Sequence, residues 1–161
     1  MLSRQSVSHW KLSILCLVAL LAACGAPNKP RSADAVPQPV QEDKVQHKIA
    51  NPAVKQLWDQ SNVSYRSGNL DTAVTQLERA LRIDPEDPAM WSRLAEFKIR
   101  QNNPGQAETL ARKSNALTAD NPVLTYRNWL IIEAALRQMG DTVGADEASY
   151  IAESLKLQLQ L

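Results

Sequence analysis

The chain has 161 residues, of which 22% are charged, and its formal net charge is +1. Residues 51–161 contain 12 Lys plus Arg and 14 Asp plus Glu, which gives this segment a net charge of −2. A segment of about 110 residues can bury one helical core of ordinary stability, and its charge balance disfavours nucleic acid as a partner.

The N-terminus carries an export signal. Arg4, His9 and Lys11 precede the apolar run LSILCLVALLAAC. This run is too short to span a bilayer comfortably, and it ends in small residues, which is typical of a secretory signal peptide. We therefore interpret residues 1–23 as a signal peptide that is not part of the fold.

The end of the signal carries a candidate modification site. The residues Leu21-Ala22-Ala23-Cys24 resemble the bacterial lipobox, which implies cleavage before Cys24, lipid attached to its thiol, and membrane anchoring through that lipid. Gly25 follows where the sorting rule of enteric-type bacteria needs aspartate for inner-membrane retention, so the resemblance implies the outer membrane at its periplasmic face. The alternative is an ordinary signal peptide with a chance cysteine.

A tether is predicted over residues 24–50. It begins at the lipidated Cys24 and contains four prolines, few large apolar groups and mixed charge, a composition that favours a flexible chain. Such a tether would reach about 90 Å when extended and roughly 30 Å as a coil. His47 has no metal-binding partners at suitable spacing, so we expect a solvated side chain there.

The next segment reads as a pair of helices. Gly68 can adopt the left-handed conformation that ends one helix, and Asp71 lies in the first turn of the next helix. Ala73 and Leu77 fall on one face of that second helix, and Asp84-Pro85 closes it. One such hairpin cannot bury its apolar face alone, so the pattern is expected to recur.

The pattern recurs twice. Ala73 is followed after 34 residues by Ala107 and after a further 38 by Ala145, and Trp91 is likewise followed after 38 residues by Trp129. Asn102 takes the place of Gly68, because asparagine tolerates the left-handed region better than other non-glycine residues. The longer second interval predicts one extra helical turn near residues 120–122.

These residues resemble the tetratricopeptide repeat, whose signature is W-x2-L-G-x2-Y, then A-x3-F, then P. Trp91-x2-Leu94-Ala95 matches the opening, Ala73-x3-Leu77 the middle and Pro85 the end. The resemblance implies an all-α fold, a TPR-type α-solenoid of three helix-turn-helix repeats over residues 51–161. The repeats are predicted at about 54–87, 88–121 and 122–159.

The resemblance also implies a binding surface. In TPR proteins the first helix of each repeat lines a concave groove. The residues of this chain at the equivalent groove-lining positions are rich in arginine and aromatic side chains. The predicted groove residues are Lys55, Trp58, Asn62, Tyr65, Arg66, Ser92, Glu96, Ile99, Arg100, Arg127, Leu130 and Arg137. Arginine and aromatic side chains dominate binding energy at many interfaces.

The tryptophans are predicted to divide between core and groove. Trp91 and Trp129 occupy the repeat position that packs between helices, whereas Trp58 is displaced by one residue and Leu57 takes the packing position. Trp58 is therefore expected to face the groove; alternatively, the first helix is rotated and Trp58 covers the exposed end of the array.

Two other functions of the site are possible from the sequence. Chaperone-binding TPR domains hold a C-terminal carboxylate in a clamp, which Asn62 and Arg127 fit in part, but Trp58, Arg93 and Ile131 break the rest of that scheme. No phosphate loop, serine elbow or metal-ligand cluster appears, so we predict a protein that is not an enzyme and needs no cofactor, metal or small-molecule substrate.

The C-terminal residues SLKLQLQL alternate apolar and polar groups, which suggests a strand. They also continue a helix whose apolar face includes Ala148 and Ala152, and a helix to about Leu157 is the stronger expectation. Its exposed leucines, between Leu155 and Leu161, are either a second contact site or packed on the preceding helix.

The whole layout resembles the short TPR lipoproteins that activate class A penicillin-binding proteins, the bifunctional peptidoglycan synthases. That resemblance implies a tethered groove that binds such an envelope protein and favours its active conformation. The alternative is a pilotin or assembly factor for a type IV pilus secretin or another outer-membrane complex. The lack of catalytic groups argues against a third hypothesis, a cell-wall hydrolase accessory with its own activity.

Overall fold

The computed structural model describes residues 47–118 and 120–161, and this part of the chain is all-α. Its helices are α1 Pro52–Arg66, α2 Leu70–Ile83, α3 Pro88–Arg100, α4 Pro104–Leu117, α5 Pro122–Met139 and α6 Thr142–Leu159. Loops of two to four residues join consecutive helices, and such short loops make neighbouring helices antiparallel. The predicted solenoid of three helix pairs is confirmed. The signal peptide, Cys24 and most of the tether lie outside the described residues.

Four of the six described helices start in the same way. An asparagine or aspartate precedes the helix, and its side-chain oxygen accepts a hydrogen bond from a backbone N–H of the first turn, which supplies a partner that the helix itself lacks. The capping pairs are Asn51 with Ala53 at 2.9 Å, Asp87 with Met90 at 3.1 Å, Asn121 with Leu124 at 3.1 Å and Asp141 with Gly144 at 2.9 Å. Proline opens α1, α3, α4 and α5, where its missing N–H costs no helical bond.

The turn inside each helix pair uses a left-handed residue. Gly68 has φ +80° and Asn102 φ +57°, which confirms these two predicted positions, and Gly140, with φ +81°, takes the equivalent place in the third pair. At these turns the chain reverses within two or three residues and starts the second helix of the pair.

Small residues let the helices of a pair approach closely. Ala73, Ala107 and Ala145 stand at the same repeat position, and all three are fully buried. One core cluster joins α1, α2 and α3 around Leu77, Met90 and Phe97, and another joins α3 to α6 around alanines and isoleucines. Trp91 and Trp129 are half-buried and pack against these clusters, as predicted.

The extra turn predicted in the third repeat lies at the start of α5. Pro88 opens α3 three residues before Trp91, whereas Pro122 opens α5 seven residues before Trp129. The four additional residues amount to about one turn of α-helix. Helix α5 therefore has 18 residues against 13 in α3 and extends past its neighbour.

The last helix continues further than predicted. Helix α6 runs to Leu159 and ends at Gln160, which has φ +53°. The alternation that suggested a strand is therefore accommodated in a helix. Leu155 and Leu159 are half-buried, while Leu157 between them is 78% exposed.

A buried ionic cluster joins the first helices of the repeats. The Glu96 carboxylate in α3 accepts hydrogen bonds from Arg93 Nη1 at 2.8 Å, from Arg100 Nη2 at 3.2 Å and from Arg127 Nη2 of α5. Arg93 Nη2 also donates to Asn62 Oδ1 of α1 at 3.2 Å. One carboxylate thus connects all three repeats, and Glu96 itself is only 3% exposed.

The arginines keep this carboxylate ionised. Burial alone raises the pKa of Glu96, but the charges of Arg127, Arg93 and Arg100 and the hydrogen bond from Arg127 outweigh it, so the pKa lies below its ordinary value of 4.5. Because the folded protein lowers this pKa, the ionised group stabilises the fold above pH 4.5, and that contribution is lost as the pH falls through the folded pKa.

Substitutions of glycine by alanine test the turn geometry. Gly68→Ala should lower the free energy of unfolding by about 1 to 2 kcal/mol, because a side chain disfavours the left-handed backbone. The new methyl group meets no atom within 4 Å, so steric crowding does not contribute to this loss of stability. Gly105→Ala in helix α4 is the matched control and should raise stability by up to about 1 kcal/mol. Urea unfolding followed by circular dichroism measures both, and a Gly68→Ala protein as stable as the wild type would contradict the turn assignment.

Neutralising Glu96 tests the ionic cluster. Glu96→Gln should cost about 3 to 5 kcal/mol at pH 7, since three guanidinium groups then face an uncharged amide. The stability gap between the wild type and this variant should shrink as the pH falls below 4.5, in unfolding curves measured from pH 7 to pH 3. Glu108→Gln is the control, because Glu108 pairs with Arg112 at 2.9 Å on a more exposed surface and should cost less than about 1 kcal/mol. If the difference in unfolding free energy between the two proteins does not change with pH, the charge of Glu96 does not contribute to stability.

Candidate functional site

The candidate site is the surface formed by α1, α3 and α5, the first helix of each pair. Here the Tyr65 ring of α1 stacks on the Phe97 ring of α3, with centroids 5.0 Å apart and planes inclined by 28°. The guanidinium carbons of Arg93 and Arg100 lie 4.8 and 5.1 Å from the Tyr65 centroid. The tyrosine is thus held by an aromatic ring and two cations, which fixes its orientation.

Arg100 connects this aromatic group to the ionic cluster. Its side chain is 28% exposed, so it reaches solvent while one of its nitrogen atoms donates to Glu96. A guanidinium group carries five N–H donors in a fixed planar arrangement, which leaves donors of Arg100 available on the outer side. The contact with Glu96 therefore orients Arg100 without using all of its hydrogen-bonding capacity.

Charge on this surface is unequal. Around Glu96, three guanidinium groups face one carboxylate, while Arg137 further along α5 donates to Glu133 at 3.2 Å and to Asp146 of α6 at 3.0 Å. Among the described contacts, three guanidinium groups therefore gather around one carboxylate beside the Tyr65 ring. Such a surface suits a carboxylate or an acidic segment of a partner.

His47 corrects one sequence expectation. It was expected to be solvated, but its side chain is 14% exposed and its Nε2 lies 2.7 Å from Asp87 Oδ2. The His47 ring also meets Trp58 edge-on, with centroids 4.6 Å apart. Asp87 caps helix α3, so the described end of the tether lies against α1 and the start of α3, and it partly covers Trp58. Spacing alone did not reveal this contact, because the partners are distant in sequence.

The predicted groove residues occupy three environments. Lys55, Arg66 and Arg100 are exposed; Trp58, Tyr65 and Arg137 are half-buried; Asn62, Ser92, Glu96, Ile99, Arg127 and Leu130 are buried. Asn62, Tyr65, Glu96, Arg100 and Arg127 come together in the cluster described above. Lys55 lies apart from it, paired with Asp59 at 2.7 Å on a shallow groove of about 630 Å³ that also includes Val63 and Gln76.

Two important residues were absent from the predicted set. Arg93 joins Asn62 to Glu96, and Phe97 supports the Tyr65 ring. The spacing of three between Arg93 and Glu96 is a signal for a helical ion pair. Nothing in one sequence indicated that this pair would be buried, since most helical ion pairs lie in solvent.

Over residues 47–118 and 120–161, the structure contains no group of three or more His, Cys, Asp or Glu side chains that could hold a metal ion. Within those ranges there is also no helix with the length and apolar character needed to cross a membrane. The arrangement around Glu96 offers oriented cations and aromatic faces, and such side chains are common at protein-protein interfaces.

Comparison with known proteins supports this interpretation at the level of the fold. The family model described as Tetratricopeptide repeat matches residues 64–124. The globular C-terminal domain of P. aeruginosa LpoP is similar over 65% of this chain and 99% of that domain, with 31% identity and a TM-score of 0.61. No curated protein matches the chain.

Two more distant structures share the fold alone. The N-terminal domain of stress-induced protein-1 from C. elegans is 14% identical, with a TM-score of 0.58, over 66% of this chain and 88% of that one. The type III secretion translocator chaperone SycD of Yersinia enterocolitica is 16% identical, with a TM-score of 0.58, over 69% of this chain and 81% of that one.

These likenesses agree with the architecture, the turn positions and the packing residues described above. The chain therefore belongs to the tetratricopeptide repeat family of protein-interaction domains, and its repeat domain is a relative of the C-terminal domain of LpoP.

Proposed function

We propose that this chain is a lipoprotein at the periplasmic face of the outer membrane, whose TPR domain binds and activates a class A penicillin-binding protein. The observation that carries the proposal is the 31% identity to the LpoP C-terminal domain over 99% of that domain's length. The synthase is named as the partner because the sequence resembles the short TPR lipoproteins that activate these synthases. The surface around Tyr65 and Arg100 supplies the means of contact.

Binding starts from the exposed members of the surface. Arg100 and the half-buried ring of Tyr65 would contact the partner, while Glu96 and Arg127 hold them from below. Because the cations and the ring are fixed before binding, little conformational entropy is lost when the partner docks. An acidic or carboxylate-bearing segment of the synthase is the expected ligand.

Activation would come from unequal binding to two states of the synthase. A partner that binds the active conformation more tightly shifts the population towards it, by as much as the difference in affinity. The TPR domain would thus change the rate of glycan synthesis without taking part in the chemistry. A domain on a tether from the outer membrane can search for a synthase over roughly 30 Å or more.

Replacing Arg100 tests the binding surface. Arg100→Ala should weaken binding of the full chain to a purified class A penicillin-binding protein of the same bacterium by about ten-fold, since interface arginines often contribute more than 1 kcal/mol. Stimulation of glycan polymerisation should fall in parallel. The melting temperature should change little, because Glu96 keeps Arg93 and Arg127.

Arg112→Ala is the matched control for that substitution. Arg112 pairs with a glutamate four residues earlier, as Arg100 does, but it lies on the second helix of its pair and is 52% exposed. It should bind and stimulate like the wild type. If Arg100→Ala binds the synthase as tightly as Arg112→Ala does, the surface around Arg100 is not the binding site. If the Arg100→Ala protein stimulates the synthase normally but its strain is defective in pilus function, the secretin alternative is favoured.

The anchor can be tested by fractionation of cells. Cys24→Ser should move the protein from the outer-membrane fraction to the soluble fraction, because the thiol that would carry lipid is gone. Cys16→Ser is the control, since Cys16 lies in the segment that would be removed, and it should leave the protein in the membrane. Membrane attachment that survives Cys24→Ser would exclude lipidation at that residue.

A further inference from the structure

The outward face of the last helix carries a line of apolar side chains. Val143, Tyr150 and Leu157 of α6 are 71%, 78% and 78% exposed. They are seven residues apart, which places them close to one line along a helix. Isolated exposed apolar residues are ordinary, but three large ones at this spacing share one face of the helix.

This line lies opposite the face that holds α6 in the domain. Ala145, Ala148 and Ala152 are at most 1% exposed and pack into the domain core. In repeat proteins the terminal unit normally presents a polar outer face, because no further repeat covers it. Helix α6 is the last helix of the described chain, and no described element packs over this line, since its three side chains are each more than 70% exposed.

Acidic residues border the line on both sides. Asp146 and Glu153 each follow an apolar residue of the line by three positions, and Glu147 follows Val143 by four. All three carboxylates belong to exposed residues. The one basic residue of α6 is Lys156, which lies 3.4 Å from Glu153. Arg137 of α5 reaches Asp146 from the domain side.

This charge pattern distinguishes between the molecules that could bind this face. A second copy of α6 would bring two acidic borders together with few cations between them, and like charges at such distances repel. An anionic membrane surface would also repel these carboxylates. A helix with an apolar line and basic borders satisfies both features, since its apolar side chains would cover the line and its lysines or arginines would meet the carboxylates.

We propose that the outward face of α6, the line Val143, Tyr150 and Leu157 with its acidic borders, is a second docking surface that binds a basic amphipathic helix of a partner protein. It shares no residue with the surface around Arg100. Binding at α6 therefore requires neither the synthase assignment nor the Glu96 cluster. An array with two separate surfaces can join two proteins or hold one partner at two points.

Photo-crosslinking in intact cells tests this surface with the full, anchored chain. A benzophenone amino acid replaces Tyr150, and in a control strain it replaces Ile83, which is 49% exposed at the end of α2. The expected product at position 150 is a crosslink to a protein segment whose apolar residues recur at helical spacing and whose flanking residues are mainly Lys and Arg. A crosslink to a second copy of this chain, to lipid or to an acidic segment overturns the proposal, as does a yield no higher than at position 83.

Two further variants separate the apolar and the charged contributions. Val143→Gln with Leu157→Gln should reduce the crosslink at position 150 by about ten-fold, because the apolar cover is lost. Asp146→Asn, Glu147→Gln and Glu153→Gln together should reduce it by about five-fold, since the basic borders lose their partners. These exposed residues should leave the melting temperature unchanged. If the crosslink yield is unchanged in the variant that lacks all three carboxylates, the proposal that the partner helix is basic is wrong.

Discussion

The proposed binding surface depends on a single buried carboxylate. Glu96 accepts hydrogen bonds from arginines on α3 and α5, and through Arg93 it is connected to Asn62 on α1. Three guanidinium groups packed together would repel one another and would be costly to bury, and the charge of Glu96 offsets both effects. The partly exposed Arg100 then lies beside a tyrosine whose orientation is already fixed. The same interaction that holds the repeats together therefore prepares their surface for a partner.

The solenoid explains why such an arrangement can exist in a short chain. Ala73, Ala107 and Ala145 recur at one repeat position and are fully buried in the core clusters. First helices are consequently brought side by side, so residues about 30 positions apart, such as Asn62 and Arg93 or Glu96 and Arg127, become neighbours. Second helices remain on the other side and can carry different surfaces. Helix α6 illustrates this division, because its outward face is apolar and acidic whereas the surface around Arg100 is aromatic and basic.

Local signals in the sequence were sufficient for most of the fold. The left-handed positions at Gly68, Asn102 and Gly140 follow from backbone sterics, and the recurrence of alanine and tryptophan follows from a packing geometry that repeats. The site was harder to predict, because burial of a charged residue is decided by several distant elements at once. Glu96 and Arg127 were expected at an open groove and lie inside the domain. The contact of His47 with Asp87 joins residues 40 positions apart, and no helical periodicity encodes it.

The central claim is that the first helices, organised by Glu96, form the surface that binds the synthase. Amide hydrogen exchange of the full chain, measured with and without a class A penicillin-binding protein, tests it most directly. The account predicts that binding slows exchange in α1 and α3 around Tyr65 and Arg100, and that α2 and α4 are unaffected. Slower exchange confined to α2 and α4, with no change around Tyr65 and Arg100, would contradict it.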